Sequence, residues 1–314
     1  MKEVVVIGAA AVDLIAKVKR FPKPDEIVPV DAFDKYPGGS LANIAVGLAR
    51  LGVDTGFVGK VGNDENGKLL LEEFKKENVD VSRVIISEGY SAATFIAVNE
   101  EGERIIFALG GKALLEKPEE LPMDYILDSK LLVVGEIFPH VARALIMGLK
   151  DKKIKIVYSP GGVMISLGFD FVKDMIANCD VLILSEKELI SLVGTGKDFD
   201  VAADFLLNMG AKKIIITRGP LGSIMFTREK KYIASAYKVT PVDTTGAGDA
   251  YTAGLVLGIL REYDDEKTLG YATACAAIAI TKIGARTALP RLDEVIDFIK
   301  EKGFPEIKVE ERGE

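Results

Sequence analysis

The amino-acid sequence predicts an α/β fold, an open, mostly parallel sheet with helices on both faces. Short runs of apolar, often β-branched residues alternate with longer stretches of helical periodicity along most of the chain. Each short run is apolar at nearly every position, as expected for a strand covered on both faces of a parallel sheet. The repeated strand-then-helix order therefore favours an open α/β sheet.

Five strands and six helices are clear from this alternation. The strands are predicted at 3–9, 131–136, 155–158, 181–185 and 213–219. The helices are predicted at 41–51, 66–77, 140–150, 170–178, 186–193 and 200–209. The charged tail that follows Phe304, PEIKVEERGE, is expected to be frayed.

Two stretches interrupt the alternation. Residues 14–36 contain LIAKV, a proline-rich bend and IVPVDAF, and residues 91–108 read SAATFIAVNEEGERIIFA, two alternating strands around a turn at Glu101–Gly102. Strands joined by a short hairpin are antiparallel and cannot extend a parallel sheet. We predict that both stretches form a small antiparallel β lid, inserted into a single domain of residues 1–314.

The composition excludes several classes of protein. The chain has 314 residues, 48% of them hydrophobic, which is enough for one large core. Its net charge is −7 and it has no extended basic run, so neither nucleic acid nor a membrane surface is an expected partner. The single histidine, His140, leaves no room for multi-histidine metal sites, and Cys179 and Cys275 are interpreted as buried apolar residues.

Location and habitat are also suggested by composition. No stretch approaches the roughly 18 apolar residues of a membrane helix, and the N-terminus lacks the net positive charge of a signal peptide. A cytoplasmic protein is expected. Glutamine is absent while lysine and glutamate are abundant, a bias reported for hyperthermophile proteins.

Residues 62–69, GNDENGKL, reproduce most of the spacing of a phosphate-binding loop. That loop ends in a Ser or Thr whose hydroxyl binds magnesium, but here the position is Leu69. The leucines that follow have the periodicity of an amphipathic helix over 66–78. We therefore predict a structural turn between a strand and a helix, with no contact to nucleotide.

The strongest functional pattern is VDTTGAGDAYTAGLVLGIL, residues 242–260. From Tyr251 onward the residues suit a buried helix, and the small residues Gly246-Ala247-Gly248 precede it. Small residues at a helix N-terminus let backbone N–H groups approach an anion, which the helix dipole also favours. Asp249 beside such an anion would have a task such as accepting a proton from an attacking hydroxyl; the alternative is an ordinary helix N-cap.

A second pattern is PGGSLANIAVGLARLG, residues 37–52. Gly38 and Gly39 precede a helix that Ser40 would cap, and Asn43 in its first turn could offer a donor and an acceptor to a ligand hydroxyl. A plain glycine turn before a helix is the alternative. Asp13 and the TRGPLG stretch at 217–222 follow other strands, at the sheet edge where open α/β folds bind ligands.

Together, GGSLANIAVGLARLG and DTTGAGDAYTAGLV resemble the two signatures of the PfkB, or ribokinase-like, kinase family. The order of elements, the two lid insertions and TRGPLG match as well, so the resemblance spans nearly the whole chain. It implies a ribokinase-like fold and a kinase that transfers the terminal phosphate of ATP to a hydroxyl of a sugar or nucleoside. Magnesium would screen the phosphates.

The resemblance also implies roles for individual residues. Asp249 would be the catalytic base, and the amides of Gly246, Ala247 and Gly248 would stabilise charge on the phosphoryl group. The implied acceptor-binding residues are Asp13, Gly39, Asn43 and Glu136. The implied nucleotide-binding residues are Ser185, Thr217, Gly219, Gly222 and Gly248. Glu188 would bind magnesium through water, and a monovalent cation such as potassium would lie near Asp243, Thr245, Ala279, Lys282, Gly284 and Ala288.

Three departures from the family pattern bear on the acceptor and the cation. Ser185 replaces the asparagine of an N-x-x-E motif, Ser40 replaces a lysine of ribokinase itself, and Ala288 replaces a serine at the cation site. They argue against ribokinase as the identity and against potassium dependence. The segment 21–43 resembles archaeal nucleoside kinases more than fructokinases, which favours a furanose acceptor phosphorylated at a primary hydroxyl.

The sequence is also compatible with other functions. The acceptor could be fructose, 2-keto-3-deoxygluconate, inositol or a sugar phosphate, and the donor could be ADP. A non-catalytic nucleotide- or sugar-binding regulator is an alternative of a different class, favoured only by Ser185. A nicotinamide dehydrogenase would need G-x-G-x-x-G after the first strand, where this chain has GAAAVD.

The lid and its surroundings raise three further expectations. Exposed strand edges in the lid favour a homodimer formed through it. Arg104 and Lys112 could assist an anionic substrate or simply be solvated. His140 could contact the acceptor, although packing at a helix start is the simpler expectation.

Overall fold

The central layer of the protein is a nine-stranded sheet. The computed structural model describes residues 1–194 and 198–313. From edge to edge the strands are β4 (Thr55–Val58), β1 (Lys2–Ile7), β9 (Ser129–Val134), β10 (Lys155–Tyr158), β11 (Val181–Ser185), β12 (Lys213–Thr217), β13 (Ser223–Phe226), β14 (Lys230–Ala234) and β15 (Ile307–Glu311). The first six run parallel and the last three are antiparallel.

Helices cover both faces of this sheet. One face carries α1 (Ser40–Arg50), α2 (Glu65–Lys76), α9 (Ala247–Leu260), α10 (Asp265–Ala279) and α11 (Leu292–Lys302). The other carries α3 (Met123–Leu127), α4 (Pro139–Leu149), α5 (Gly161–Ser166), α6 (Phe169–Ile176), α7 (Glu186–Val193) and α8 (Phe199–Met209). Along β1, Val4 and Val6 join the first core while Val5 and Ile7 join the second. Both faces are therefore buried, which is why the strand is apolar throughout.

The lid is a second, four-stranded sheet in the order β3 (Ala32–Gly38), β2 (Ala11–Lys17), β7 (Ala93–Val98) and β8 (Arg104–Gly110). The two outer pairings are antiparallel, but β2 and β7 pair in parallel. The lid is therefore mixed, because each insertion forms an antiparallel pair and the first strands of the two pairs lie side by side. A short parallel pair, β5 (Lys60–Gly62) and β6 (Ile85–Ser87), completes the strands.

The predicted fold class is confirmed. The five predicted strands correspond to β1, β9, β10, β11 and β12, and the predicted helices to α1, α2, α4, α6, α7 and α8. The expectation of a frayed tail is wrong, because β15 pairs with β14 along its whole length. Ile307 packs against the core there, so one apolar anchor outweighs the charge of the neighbouring residues.

Residues 62–69 form a helix start, as predicted, and their polar groups bond to one another. Asp64 caps α2, and its carboxylate accepts hydrogen bonds from the Gly67 amide at 2.8 Å and from the Ser91 hydroxyl at 2.6 Å. Lys68 pairs with Glu65 on the surface. The Gly67 amide that a phosphate would require is thus already used.

Two findings concern the rest of the described chain. Cys179 and Cys275 are buried free thiols, as predicted. Within residues 1–194 and 198–313, no helix combines the length and the apolar character needed to cross a membrane.

Candidate active site

Helix α9 begins in a glycine turn held by close backbone contact. Gly246 is the N-cap residue and has a left-handed backbone, with φ of 80°. A Cβ there would lie 2.6 Å from the carbonyl oxygen of Ala285, so the turn before α9 packs directly on the loop that follows α10. Only glycine meets both requirements without strain.

The first turn of α9 carries backbone amides beside the space between α9 and the lid, which is called the cleft below. The Ala247 N–H makes one long bond, 3.3 Å, to the carbonyl of Thr244. Among the described residues, no acceptor bonds the N–H groups of Gly246, Gly248 or Asp249. Free N–H groups at the start of a 14-residue helix are suited to binding an anion.

Asp249 lies in this first turn but does not cap the helix. Its carboxylate accepts hydrogen bonds from the Ser40 hydroxyl at 2.6 Å and from the Asn43 side-chain N–H at 2.9 Å. The alternative of an ordinary N-cap is therefore wrong. Burial raises the pKa of Asp249 to about 6, although both hydrogen bonds and the charge of Arg286 oppose the increase. A carboxylate that titrates near neutral pH is suited to accepting a proton.

The start of α1 supplies both of these donors. Gly39 is the N-cap with φ of 92°, and a Cβ there would lie 2.8 Å from the carbonyl oxygen of Ala9. Ser40 does not cap α1 as expected, because its hydroxyl bonds to Asp249 instead. Asn43 is 4% exposed, and its side-chain oxygen accepts from Arg286 at 3.2 Å. One N–H and the oxygen of its amide are therefore already bonded inside the protein.

Arg286 was not predicted from the sequence. It is 6% exposed and also donates to the backbone oxygen of Gly38 at 3.2 Å. Burial lowers the pKa of its guanidinium to about 10. The segment GARTALP contains one charged residue among small and apolar ones, and this could have marked it.

Two more carboxylates, both predicted to bind the acceptor, lie near Asp249. Asp13 lies on lid strand β2, not at the end of β1, and accepts a hydrogen bond from the Thr94 hydroxyl of β7. Burial raises the pKa of Asp13. Glu136 follows β9, accepts from the Ala9 amide at 3.4 Å, and has its pKa raised to about 7 by burial and by the charges of Asp249 and Glu188. These acids therefore share one low-dielectric region.

The predicted nucleotide-side residues lie together at the ends of β11 and β12. Ser185 and Thr217 are direct neighbours in the sheet. A short 3-10 turn follows Thr217, and Gly219 and Gly222 have φ of 55° and 81°. The Tyr251 hydroxyl of α9 donates to Ser223 at 2.8 Å, which ties this loop to α9.

Ser185 and Glu188 form a capping box at the start of α7. Ser185 caps α7, and its backbone N–H and hydroxyl both donate to one oxygen of Glu188, at 2.7 and 2.8 Å. No described residue donates a hydrogen bond to the second carboxylate oxygen, which is the atom that a cation or its water would contact. Magnesium usually binds through one or two carboxylates together with phosphate oxygens, so a single carboxylate here fits that role. No group of three or more His, Cys, Asp or Glu side chains could hold a metal in the described part of the chain.

Hydrogen bonds link part of the set that the family resemblance places near a monovalent cation. Asp243 accepts from the amides of Thr245 and Gly284, each at 2.9 Å, which joins these two segments. The Lys282 side chain instead donates to Glu294 of α11. The carbonyl oxygens of Ala279 and Gly284 each accept one backbone N–H, from Lys282 and Ala288 respectively.

The three expectations around the lid have different outcomes. Arg104 of β8 donates to the Thr245 hydroxyl at 3.1 Å, so the lid reaches the turn before α9. Lys112 pairs with Glu116 at 3.0 Å. His140 is exposed at the start of α4 and contacts the Glu116 carbonyl oxygen at 2.8 Å, which agrees with packing at a helix start.

Known proteins resemble this chain in sequence and in fold. The profile of the pfkB family carbohydrate kinases matches residues 1–292. The chain belongs to this family. It is a phosphotransferase that acts on a carbohydrate or nucleoside, as the sequence motifs implied.

Three relatives illustrate the similarity. An ATP-dependent ribose-1-phosphate kinase from Halopiger xanaduensis is 30% identical over 303 residues, covering 96% of this chain and 99% of that protein. A ribokinase from Staphylococcus aureus is 28% identical over 305 residues, covering 93% and 98%. The crystal structure of a ribokinase from Thermotoga maritima superposes with a TM-score of 0.85 at 26% identity, covering 96% and 100%.

We predict that Gly246→Ala destabilises the protein while Gly248→Ala does not. At Gly246, a side chain would be strained by φ and would collide with Ala285, at a cost of about 1–3 kcal/mol. At Gly248 a Cβ has no neighbour within 4 Å and the backbone is helical, so alanine should hold or slightly raise stability. Urea denaturation of both variants measures this. Equal free energies of unfolding would contradict the close packing at Gly246.

Proposed function

We propose that this protein transfers the terminal phosphate of ATP to a primary hydroxyl of a furanose, either a free sugar or a nucleoside, with Mg²⁺ present. The observation that carries the proposal is a carboxylate, Asp249, in the first turn of a helix where the N–H groups of Gly246, Gly248 and Asp249 have no protein acceptor among the described residues. A base and an anion site are thus adjacent. Relatives named as ribokinases and as a ribose-1-phosphate kinase support the furanose.

In this proposal Asp249 accepts the proton of the attacking hydroxyl. The amides of Gly246, Ala247 and Gly248 stabilise the charge on the transferred phosphoryl group, because the helix dipole and the N–H groups point toward it. Bound Mg²⁺, near Glu188, would neutralise charge on the phosphates. Ser40 and Asn43 hold the carboxylate in one orientation, so little reorganisation is needed when the proton moves.

The donor and acceptor are assigned to opposite sides of the α9 N-terminus. Ser185, Thr217, Gly219 and Gly222, at the ends of β11 and β12, are proposed to bind ATP. Asp13, Gly39, Asn43 and Glu136 are proposed to bind the acceptor, with Asp13 and Glu136 accepting its hydroxyl hydrogens. The attacking oxygen would then lie between Asp249 and the phosphoryl group, as in-line transfer requires.

A phosphorylated furanose is the second candidate acceptor. Arg104 lies on the same face of the lid as Asp13 and reaches the turn before α9, which puts a guanidinium over the cleft. Guanidinium groups pair well with phosphate. The similarity to a ribose-1-phosphate kinase points the same way.

We predict that Asp249→Asn lowers kcat by about 100- to 10,000-fold, because the amide cannot accept the proton. Asparagine keeps the size of the side chain, so ATP should still bind. Phosphate transfer from ATP, with ADP as an alternative donor, should be measured on ribose, ribose 1-phosphate, nucleosides, fructose, 2-keto-3-deoxygluconate and inositol. Asp54→Asn, at a surface pair with Lys2, is the control and should keep wild-type turnover.

Each result of that panel has a distinct meaning. Full turnover by Asp249→Asn would remove Asp249 as the base. Preference for inositol, which has no furanose form, over every furanose-forming acceptor in the panel would contradict the acceptor class. Transfer to no acceptor, combined with tight ATP binding, would instead favour a non-catalytic regulator.

We expect kcat/KM to fall as the pH drops through about 6. The base must be ionised, and its pKa of about 6 means that protonation removes activity below that value and not above it. Initial rates measured between about pH 5 and pH 8 should show a slope of one proton on the acid side. Enzyme held at the acid pH and returned to neutral pH must regain full activity. A flat profile across this range would argue against Asp249 as the base.

We also propose that two copies associate through the lid. Register places Phe33, Ile105 and Phe107 on the lid face opposite Asp13, and Phe33 and Phe107 are each more than half exposed. Exposed apolar residues on a sheet with two open edges favour pairing with another sheet. A second copy presents the same patch, so the contact can be symmetric.

We predict that Phe107→Glu shifts the protein to the monomer mass, because two charges would meet in the apolar contact. Light scattering coupled to gel filtration measures this. Met147→Glu, at an exposed methionine of α4 away from the lid, should leave the mass unchanged. Monomeric wild-type protein at micromolar concentration would end the proposal.

A further inference from the structure

Arg286 is a buried cation without an ion-pair partner in the described residues. Lys60, the other deeply buried cation, lies 3.1 Å from Glu116 and 2.7 Å from Glu120. Within residues 1–194 and 198–313, Arg286 makes no such pair, and its Nη1 has no hydrogen-bond partner. Burying an unpaired charge is costly. An apolar residue would fill the same space without the cost of burying a charge. Packing alone therefore does not explain why this residue is an arginine.

The side-chain hydrogen bonds of Arg286 lead to the start of α1. Its Nε donates to the side-chain oxygen of Asn43, and its Nη2 donates to the carbonyl oxygen of Gly38, both at 3.2 Å. The guanidinium also lies over the ring of Phe74, 5.5 Å from the centroid, which fixes it from α2. Its own backbone is adjacent to Ala285, which packs on Gly246.

These bonds determine which way the Asn43 amide faces. An arginine only donates, so the side-chain oxygen of Asn43 must face Arg286. The N–H₂ group is then directed at Asp249, which it reaches at 2.9 Å. Without the guanidinium the amide could rotate and present its oxygen to the carboxylate, and that contact would be repulsive.

The Gly38 bond acts on a second carboxylate. A Cβ at Gly38 would lie 2.1 Å from an oxygen of Asp13, so this backbone segment is in contact with the Asp13 side chain. Holding the Gly38 carbonyl thus also limits where Asp13 can lie. One guanidinium therefore contacts a group next to the proposed base and a group next to the proposed acceptor ligand.

We propose that Arg286 is a positioning residue of this kinase, which fixes the Asn43 amide toward Asp249 and the Gly38 backbone against Asp13. This inference rests on the proposed role of Asp249. The charge of Arg286 adds to the geometry, since it favours the ionised form of both acids. Arg286 faces Glu73 and Glu77 of α2, Asp13 of β2 and Arg50 of α1, while Asp249 also faces Asp13.

The test compares Arg286→Met and Arg286→Lys with Arg50→Met. Arg50 is the matched control, because it holds the same turn through the carbonyl oxygens of Arg286 and Leu289 but does not touch Asn43. Arg286→Met should lower kcat by about 10- to 100-fold and leave the KM for ATP nearly unchanged. The acid limb of its kcat/KM profile should move to higher pH, since the neutral side chain no longer favours the carboxylate.

Arg286→Lys should keep the acid limb at the wild-type pH, because the charge is retained, and recover part of kcat. Arg50→Met should lower the melting temperature without moving the acid limb. If Arg286→Met and Arg50→Met both lower only the melting temperature, Arg286 is structural and the proposal is overturned. If Arg286→Met does not fold, Arg286→Lys is compared with Arg50→Lys, and equal kcat values would overturn it.

A double-variant cycle gives an independent readout. If Arg286 acts through Asn43, Arg286→Met should lower kcat by a much smaller factor in an Asn43→Ala background than in the wild type. Equal fold-changes of kcat in the two backgrounds would show that Arg286 does not act through Asn43 and would overturn the proposal. Asp249→Asn, measured in the same assay, distinguishes failure of the positioning role of Arg286 from failure of the base role of Asp249. Loss of activity in Asp249→Asn with wild-type kinetics in Arg286→Met removes only the positioning role, whereas retained activity in Asp249→Asn removes the proposed base.

Discussion

Helices α1 and α9 pack against each other, and at their first turns a carboxylate that accepts two hydrogen bonds joins them. Asp249 bonds to Ser40 and Asn43, which are 209 and 206 positions away in the chain. Both helices begin at glycines with left-handed backbone, so each N-terminus can approach neighbouring backbone closely. The cleft, the free amides and the lid strand that carries Asp13 are all arranged around this contact.

The region around this contact holds three carboxylates whose negative charge is only partly balanced by cations. Three carboxylates, Asp13, Glu136 and Asp249, lie where burial disfavours their charge, and the pKa of each is raised. Complete pairing with cations would hold them ionised but would also make them poor proton acceptors. The guanidinium of Arg286, which has no ion-pair partner among the described residues and bonds to Asn43, favours the charged form of Asp13 and Asp249 without neutralising it.

The parts of the molecule that sequence predicts best are those governed by local pattern. Apolar runs predict β1 and β9 to β12 because both faces of those strands are buried, and the glycine-aspartate motif predicts the start of α9. Arg286 and the turned amide of Asn43 are different, since each depends on partners more than 200 positions away. The parallel pairing of β2 with β7 likewise depends on how two separate insertions meet, and β15 depends on one anchor, Ile307.

Helix α9 is buried on all sides from Ala250 to Gly258. Its glycines allow α10 to approach so closely that a Cβ at Gly254 would lie 2.8 Å from the sulfur of Cys275. A mutation along this helix is therefore costly, whereas the lid strand β8 is exposed at every position. Descent with modification can consequently change the lid while the start of α9 stays in place, and the relatives of this chain are indeed kinases named for different sugars.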